Sequence, residues 1–183
     1  MPDLRAACAA LSLALPATVA ATPGAAQSFD PIAEVLTHPR CANCHVEDDV
    51  PLWSAADGGS DPHGMAIRAG ESRMGIETIP CQTCHRAQNG TLPGSAPGVE
   101  GWALAPPEMA WAARTPAEIC AQLQDPARNG GRTLAEVADH VLHDPLVVWG
   151  WAPGPGRAPA PGTPEATAAA ILAWAEAGAP CPS

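Results

Sequence analysis

Apolar residues recur with the spacing of an amphipathic helix mainly in the last third of the chain. Two capping boxes, in which a Thr is followed three residues later by a Glu, begin at Thr115 and Thr133. They predict helices over about 116–124 and 134–143. A Thr-Pro-Glu sequence opens a third apolar stretch and predicts a helix over about 164–177, directly followed by a capping glycine.

The first two thirds of the chain carry weaker patterns. Short helices are predicted over 31–38 and about 107–113, whereas residues 46–80 and 89–107 are dominated by turn-forming residues. The chain has 17 glycines and 22 prolines among 183 residues, which excludes long regular elements there. No convincing strand alternation is present. The sequence therefore predicts an all-α fold with a high loop content.

Two Cys-x-x-Cys-His motifs provide the candidate chemistry. This motif is the attachment site of a c-type haem: two sulfurs form thioethers to one porphyrin, and the adjacent His binds the iron from the proximal side. We therefore expect two covalently bound haem c groups. The attachment residues are Cys41, Cys44, Cys81 and Cys84, and the proximal iron ligands are His45 and His85.

Other uses of the two motifs fit the sequence less well. A zinc site does not need a His directly after each cysteine pair, and a thioredoxin-like dithiol lacks its βαβ surroundings here. Cys41 and Cys81 stand 40 positions apart, which is short for independent cytochrome c modules. We therefore expect a single integrated dihaem cytochrome c-like domain over residues 27–183.

The sixth iron ligand, on the distal side of each haem, decides what the iron does. Methionine raises the potential, a second histidine lowers it, and an open position permits ligand chemistry. The leading candidates are His63, in the flexible segment between the motifs, and Met109, which follows two stiffening prolines. His140 flanks the apolar stripe of the 134–143 helix and is the alternative. Weaker candidates are His38, Met65, Met74 and His143.

Arginines and tryptophans near the motifs are the remaining candidates for haem contact. Arg40 precedes Cys41 and Arg86 follows His85, so each is placed to pair with a haem propionate. The six tryptophans are expected to pack against haem or against helices.

The N-terminal 26 residues have the features of an export signal. Arg5 precedes an apolar stretch from Ala6 to about Ala21, and small residues at 24–26 offer a cleavage site. We expect cleavage before Gln27, a periplasmic mature protein, and no integral membrane segment in its mature form. Seven cysteines are present; one is in the signal and four are in the motifs. The remaining pair, Cys120 and Cys181, is expected to form a disulfide.

The charge limits the class of partner. The chain carries nine Arg, no Lys and a formal net charge of −10. A surface this acidic argues against nucleic acid and anionic lipid as partners and suits a neutral or basic protein.

Several segments of the chain resemble small bacterial haem proteins. They are His38–His45, Pro62-His63, Leu104–Trp111 and Asp125–Thr133, and the resemblance extends over about residues 31–181. The family is often labelled as cytochrome c family protein or as isoquinoline 1-oxidoreductase subunit. The resemblance implies a haem-bearing electron acceptor or carrier that serves a redox partner such as a periplasmic dehydrogenase.

These observations favour an electron carrier over an enzyme. The expected function is electron transfer in the periplasm between a dehydrogenase and a respiratory acceptor. No catalytic constellation beyond the haems is visible in the sequence. The alternative is a dihaem enzyme of the peroxidase or thiol-oxidase type, in which one iron keeps an open position. A haem-based sensor is a third possibility, although no signalling segment accompanies the motifs.

Overall fold

A computed structural model describes residues 28–54, 59–76, 78–92 and 94–183. The export signal expected at residues 1–26 lies outside these ranges. The helices are α1 (Asp30–Leu36), α2 (Pro39–Ala42), α3 (Pro116–Leu123), α4 (Leu134–His143), α5 (Pro145–Trp149) and α6 (Pro164–Glu176). The strands are β1 (Leu52–Ser54), β2 (Ser60–Pro62), β3 (Gly75–Ile76) and β4 (Ile79–Pro80).

The helices of the last third begin where the capping signals predict. Thr115 accepts from the backbone N–H of Glu118, and in each capping box the Glu carboxylate accepts from the backbone N–H of the cap residue. Thr163 caps α6 by accepting from Ala166 N–H at 3.1 Å. Gly178 follows α6 with a φ of 86°, a left-handed conformation that glycine adopts without strain.

The prediction of an all-α fold is wrong. The fold is mixed and rich in loops, with 37% of the described residues in helices and 8% in strands. In one antiparallel hairpin β1 pairs with β2, with Trp53 opposite Asp61; in the other β3 pairs with β4, with Ile76 opposite Ile79. These strands are two or three residues long, too short to show side-chain alternation. They are held by backbone hydrogen bonds between strands, and the pattern of hydrophobic residues does not predict such bonds.

The helix predicted over 31–38 is divided into two. α1 ends at Leu36, and His38 adopts an extended conformation in which its Nδ1 accepts from Arg40 N–H at 3.2 Å. Pro39 then occupies the first position of α2, where a backbone N–H would have no partner within the helix. The second helix contains Cys41, the first cysteine of the first motif.

Two further elements differ from the sequence prediction. The helix expected over about 107–113 is a single 3₁₀ turn, Pro107–Met109. α5 was not predicted; Asp144 caps it by accepting from the backbone N–H groups of Leu146 and Val147.

The main core is formed by α1, α3, α4 and α6. Phe29 and Trp174 are both buried, with ring centroids 5.1 Å apart. Cys120 of α3 is bonded to Cys181, which confirms the expected disulfide and fixes the C-terminus against the core. In the part of the chain that the structure describes, no helix is long and apolar enough to span a bilayer.

A smaller core holds the segment between the motifs. Val46, Ala69 and Leu104 are buried together there. Beside them, the Arg73 guanidinium donates to the carbonyls of Ala105 at 2.9 Å and Val46 at 2.8 Å, and also to that of Asp48. One side chain therefore ties the residues that follow the first motif to the loop that precedes Pro106.

Candidate functional site

The first motif presents a histidine whose orientation is fixed by the backbone. Cys41 lies in α2, and His45 follows the helix. The Nδ1 atom of His45 lies 2.8 Å from the carbonyl oxygen of Met109. A carbonyl only accepts hydrogen bonds, so Nδ1 carries the proton and Nε2 keeps a free lone pair. This is the tautomer that a metal-binding histidine needs.

An indole ring fixes the plane of this imidazole. Trp111 stacks on His45 with ring centroids 3.4 Å apart and planes 1° apart. The indole is held in turn by its Nε1–H, which donates to Gln122 Oε1 at 2.7 Å. Burial lowers the pKa of His45 to about 4, so the ring is neutral at physiological pH.

The second motif repeats this arrangement on a different local structure. Cys81 lies in a 3₁₀ turn, and His85 Nδ1 lies 2.8 Å from the carbonyl oxygen of Pro97. Trp102 stacks on His85, with centroids 4.2 Å apart and planes 5° apart. Both histidines that follow the cysteine pairs thus have a carbonyl on Nδ1, an indole on the ring face and a free Nε2.

The position of the Pro97 carbonyl depends on the next residue. A Cβ on Gly98 would overlap the backbone carbonyl oxygens of Gln88 and Arg86, so only glycine fits here. The Gly98 N–H donates to Asn89 Oδ1 at 2.9 Å. Asn89 also donates to the carbonyl of Pro153 at 3.1 Å, which joins this loop to the Pro/Gly-rich segment near the C-terminus.

Two cavities adjoin the motifs. The larger cavity, about 1090 Å³, is lined by residues that include Cys81, Cys84, His85 and His63. Its volume is slightly above the roughly 300–1,000 Å³ typical of small-molecule sites. The smaller cavity, about 270 Å³, is lined by residues that include Cys41, Cys44, His45, Met109 and His140. Arg40, Trp102, Ala103 and Leu104 line both cavities, which therefore share a wall.

The larger cavity suits an apolar group. Among the described residues, seven large apolar side chains are exposed, and four of them line this cavity: Trp53, Met65, Ile79 and Leu92. A flat apolar group seated there would cover side chains that are otherwise costly to leave in water. This property, together with the cysteine pair and His85, fits a porphyrin.

His63 faces His85 across the larger cavity. Their ring centroids are 6.0 Å apart and their planes are 71° apart. A metal-bound imidazole nitrogen lies about 2.0 Å from its ion, and the ring centre lies roughly 1.1 Å beyond, so two histidines on opposite sides of one iron would have centroids about 6.2 Å apart. His63 Nδ1 lies 2.9 Å from the Gly64 carbonyl, which again leaves Nε2 free.

The smaller cavity contains both remaining distal candidates. His140 lies on α4, and its Nδ1 is 3.6 Å from Asp144 Oδ2. Burial lowers the pKa of His140, and Asp144 opposes that shift. Met109 also lines this cavity. Its own backbone carbonyl is the group that holds His45 Nδ1.

The weaker candidates lie elsewhere or remain exposed. His38 is the cap of α2, and His143 pairs with Asp139 at 2.9 Å with 68% of its side chain exposed. His38, His143 and Met74 line neither cavity, whereas Met65 lines the larger one. Arg86, expected beside a haem, also lines neither, whereas Arg40 lines both.

The cysteines of the first motif do not have the environment of a redox dithiol. Such a dithiol needs a lowered thiol pKa. Burial instead raises the pKa of Cys41 to about 12 and that of Cys44 to about 11. Within the residues that the structure describes, no group of three or more His, Cys, Asp or Glu is placed to hold a metal ion.

Sequence reasoning missed several groups at these sites. The carbonyls of Pro97 and Met109 carry no sequence signal, because every residue has a carbonyl. Arg157 lines the larger cavity from the Pro/Gly-rich loop and has no motif to mark it. Comparison of the chain with protein-family models, curated proteins and solved structures found no match.

Proposed function

We propose that the protein is a periplasmic dihaem c-type cytochrome that transfers electrons between a dehydrogenase and a respiratory acceptor. The observation that carries this proposal is the matched environment of His45 and His85. Each follows a Cys-x-x-Cys pair, is held at Nδ1 by a carbonyl and is stacked on an indole. The two motifs have different local structures but hold their histidines in the same way. This similarity supports a common role for His45 and His85 as proximal iron ligands. Each haem, when bound, would supply a redox-active iron.

His63 is the distal ligand that we propose for the iron held by His85. The 6.0 Å centroid distance leaves room for one iron between the two rings. His63 and His85 each direct Nδ1 to a carbonyl, so both can turn Nε2 to the metal. A second imidazole favours a low potential over ligand chemistry.

For the iron held by His45 we propose His140 in preference to Met109. The Met109 carbonyl accepts a hydrogen bond from His45 Nδ1, the nitrogen that would face away from the iron. The Met109 backbone therefore lies on the same side of the haem as His45. A porphyrin bound to His45 would separate that side chain from the distal position. His140 lines the same cavity from α4, and Asp144 lies near its Nδ1, which leaves Nε2 available.

The position of the two motifs supports electron exchange between them. The cavities beside the two motifs share a wall, and Cys44 and Cys81 are close enough for their charges to interact. Trp102 forms part of the shared wall. Haems attached there would lie side by side in one small domain.

The test begins with the protein exported from a host that matures c-type cytochromes. Intact mass should show the addition of two haems, and the alkaline pyridine spectrum should report thioether attachment. Ferric spectra should show two six-coordinate, low-spin haems that bind neither peroxide nor carbon monoxide. A product without covalent haem overturns the proposal. A high-spin haem with peroxide turnover would favour the dihaem enzyme instead.

A further inference from the structure

Arg40 and Arg157 lie together on the wall of the larger cavity. Arg40 Nε donates to the carbonyl of Ala158, the residue after Arg157, at 2.7 Å. Both residues line the cavity. In the described ranges, the arginines paired with carboxylates are Arg68 and Arg114, so neither Arg40 nor Arg157 has an acidic partner there.

Backbone carbonyls orient this pair without neutralising it. Arg157 donates to the carbonyls of Ser95 and Pro153, and the Arg40 guanidinium carbon is 5.6 Å from the centroid of the Trp149 ring. Carbonyl dipoles and the indole face hold the side chains in place, but they leave both positive charges uncompensated. Two such charges in one half-buried place are unusual in a chain of net charge −10.

The two charges affect each other. Burial lowers the pKa of Arg40, and the charge of Arg157 lowers it further. An anion between the two guanidinium groups would replace this repulsion with two charge-assisted interactions.

We infer that Arg40 and Arg157 together bind a propionate carboxylate of the haem attached at Cys81 and Cys84. This inference rests on the proposed function, because the haem would supply the anion. Guanidinium groups match the geometry of a carboxylate with two parallel hydrogen bonds. Arg157 thereby gives the Pro/Gly-rich loop at 153–163 a role at the haem, and Arg40 connects that propionate to the helix of the first motif.

The pair sets the reduction potential of this haem. Positive charge near the iron disfavours the ferric state, which carries the greater positive charge, so the arginines raise the potential. Removal of either charge should shift the potential of one haem to a lower value. The unpaired propionate should then bind a proton more readily, so that the potential varies more with pH in the neutral range.

The experiment is spectroelectrochemical titration of the dihaem protein and three variants. Arg40→Gln and Arg157→Gln should each lower the potential of the same haem, with both haems still attached. Arg128→Gln removes an exposed positive charge away from both cavities and should leave both potentials unchanged. A double variant should shift the potential by less than the sum of the single shifts, because the two residues share one anion.

The outcomes separate this inference from the proposed function. If both haems are attached and low-spin, but Arg157→Gln leaves both potentials at the wild-type values, the inference is wrong and the cytochrome stands. If the wild-type chain carries no haem, the proposed function is wrong, and the inference that rests on it is wrong as well. Should Arg157→Gln not accumulate, Arg40→Gln removes the other charge of the pair. Wild-type potentials with wild-type pH dependence in that variant would also overturn the inference.

Discussion

Trp102 stacks on His85 with ring planes 5° apart, and the same indole lines both cavities. It also meets Trp149 edge-on at 5.0 Å between centroids. One side chain therefore holds the imidazole of the second motif and lies between the two cavities.

Trp102→Leu should loosen the His85 ring without removing its haem. We expect a broadened or split low-spin electron paramagnetic resonance signal for one of the two haems, because the imidazole plane is no longer fixed. Trp111→Leu is the matched variant, and it should broaden the signal of the other haem. If both variants perturb the same haem, the assignment of one indole to each histidine is wrong.

His63→Ala should convert one haem to a high-spin, five-coordinate ferric state. The remaining haem should stay low-spin, since His63 is proposed to serve one iron only. Added imidazole should restore the low-spin spectrum by occupying the position of the missing ring. His143→Ala is the control, because His143 is exposed and lines neither cavity. A low-spin spectrum for both haems in His63→Ala would contradict the assignment.

The ligand of the other iron is tested by two variants in the smaller cavity. His140→Ala should produce a high-spin signal from the haem that His63→Ala leaves intact. Met109→Ala should keep both haems low-spin, and the wild-type protein should lack the near-infrared charge-transfer band of methionine-bound ferric haem. The presence of that band, and its loss in Met109→Ala, would restore methionine as the ligand.

Gly98→Ala should damage the second site selectively. Its Cβ would overlap the carbonyls of Gln88 and Arg86 and push Pro97 away from His85 Nδ1. We expect a shifted potential for one haem and lower stability of the haem-bound protein in denaturant titration. Gly64→Ala is the control, since a Cβ there meets nothing within 4 Å. Equal behaviour of the two variants would argue against a close backbone approach at residue 98.

The disulfide should contribute substantially to stability. Cys120 and Cys181 are 61 positions apart, and a crosslink of that span stabilises the folded state by about 4 kcal/mol on the loop-entropy estimate. Replacement of both cysteines by serine should lower the free energy of unfolding by that order, measured by denaturant titration with both haems attached. An unchanged midpoint would mean that the core of α1, α3, α4 and α6 holds the C-terminus without the crosslink.

The sequence was informative wherever the signal is local. Capping boxes at Thr115 and Thr133 located two helices, because the hydrogen bonds that define them join residues three positions apart. Cysteine counting identified the Cys120–Cys181 pair, because the motifs account for the other cysteines outside the expected signal. The two attachment motifs remain a prediction that rests on spacing alone. The hairpins were missed, since strands of two or three residues show no period.

The tertiary structure decided which groups surround each motif. His63 stands opposite His85, Arg157 joins Arg40, and the carbonyls of Pro97 and Met109 bind the two histidines, although none of these contacts has a signature in the chain. They depend on how the loops are folded back over the motifs. The sequence by itself determined which residues are candidates for haem attachment, because the Cys-x-x-Cys-His spacing is local. Only the tertiary structure decided their partners, because those contacts join residues far apart in the chain.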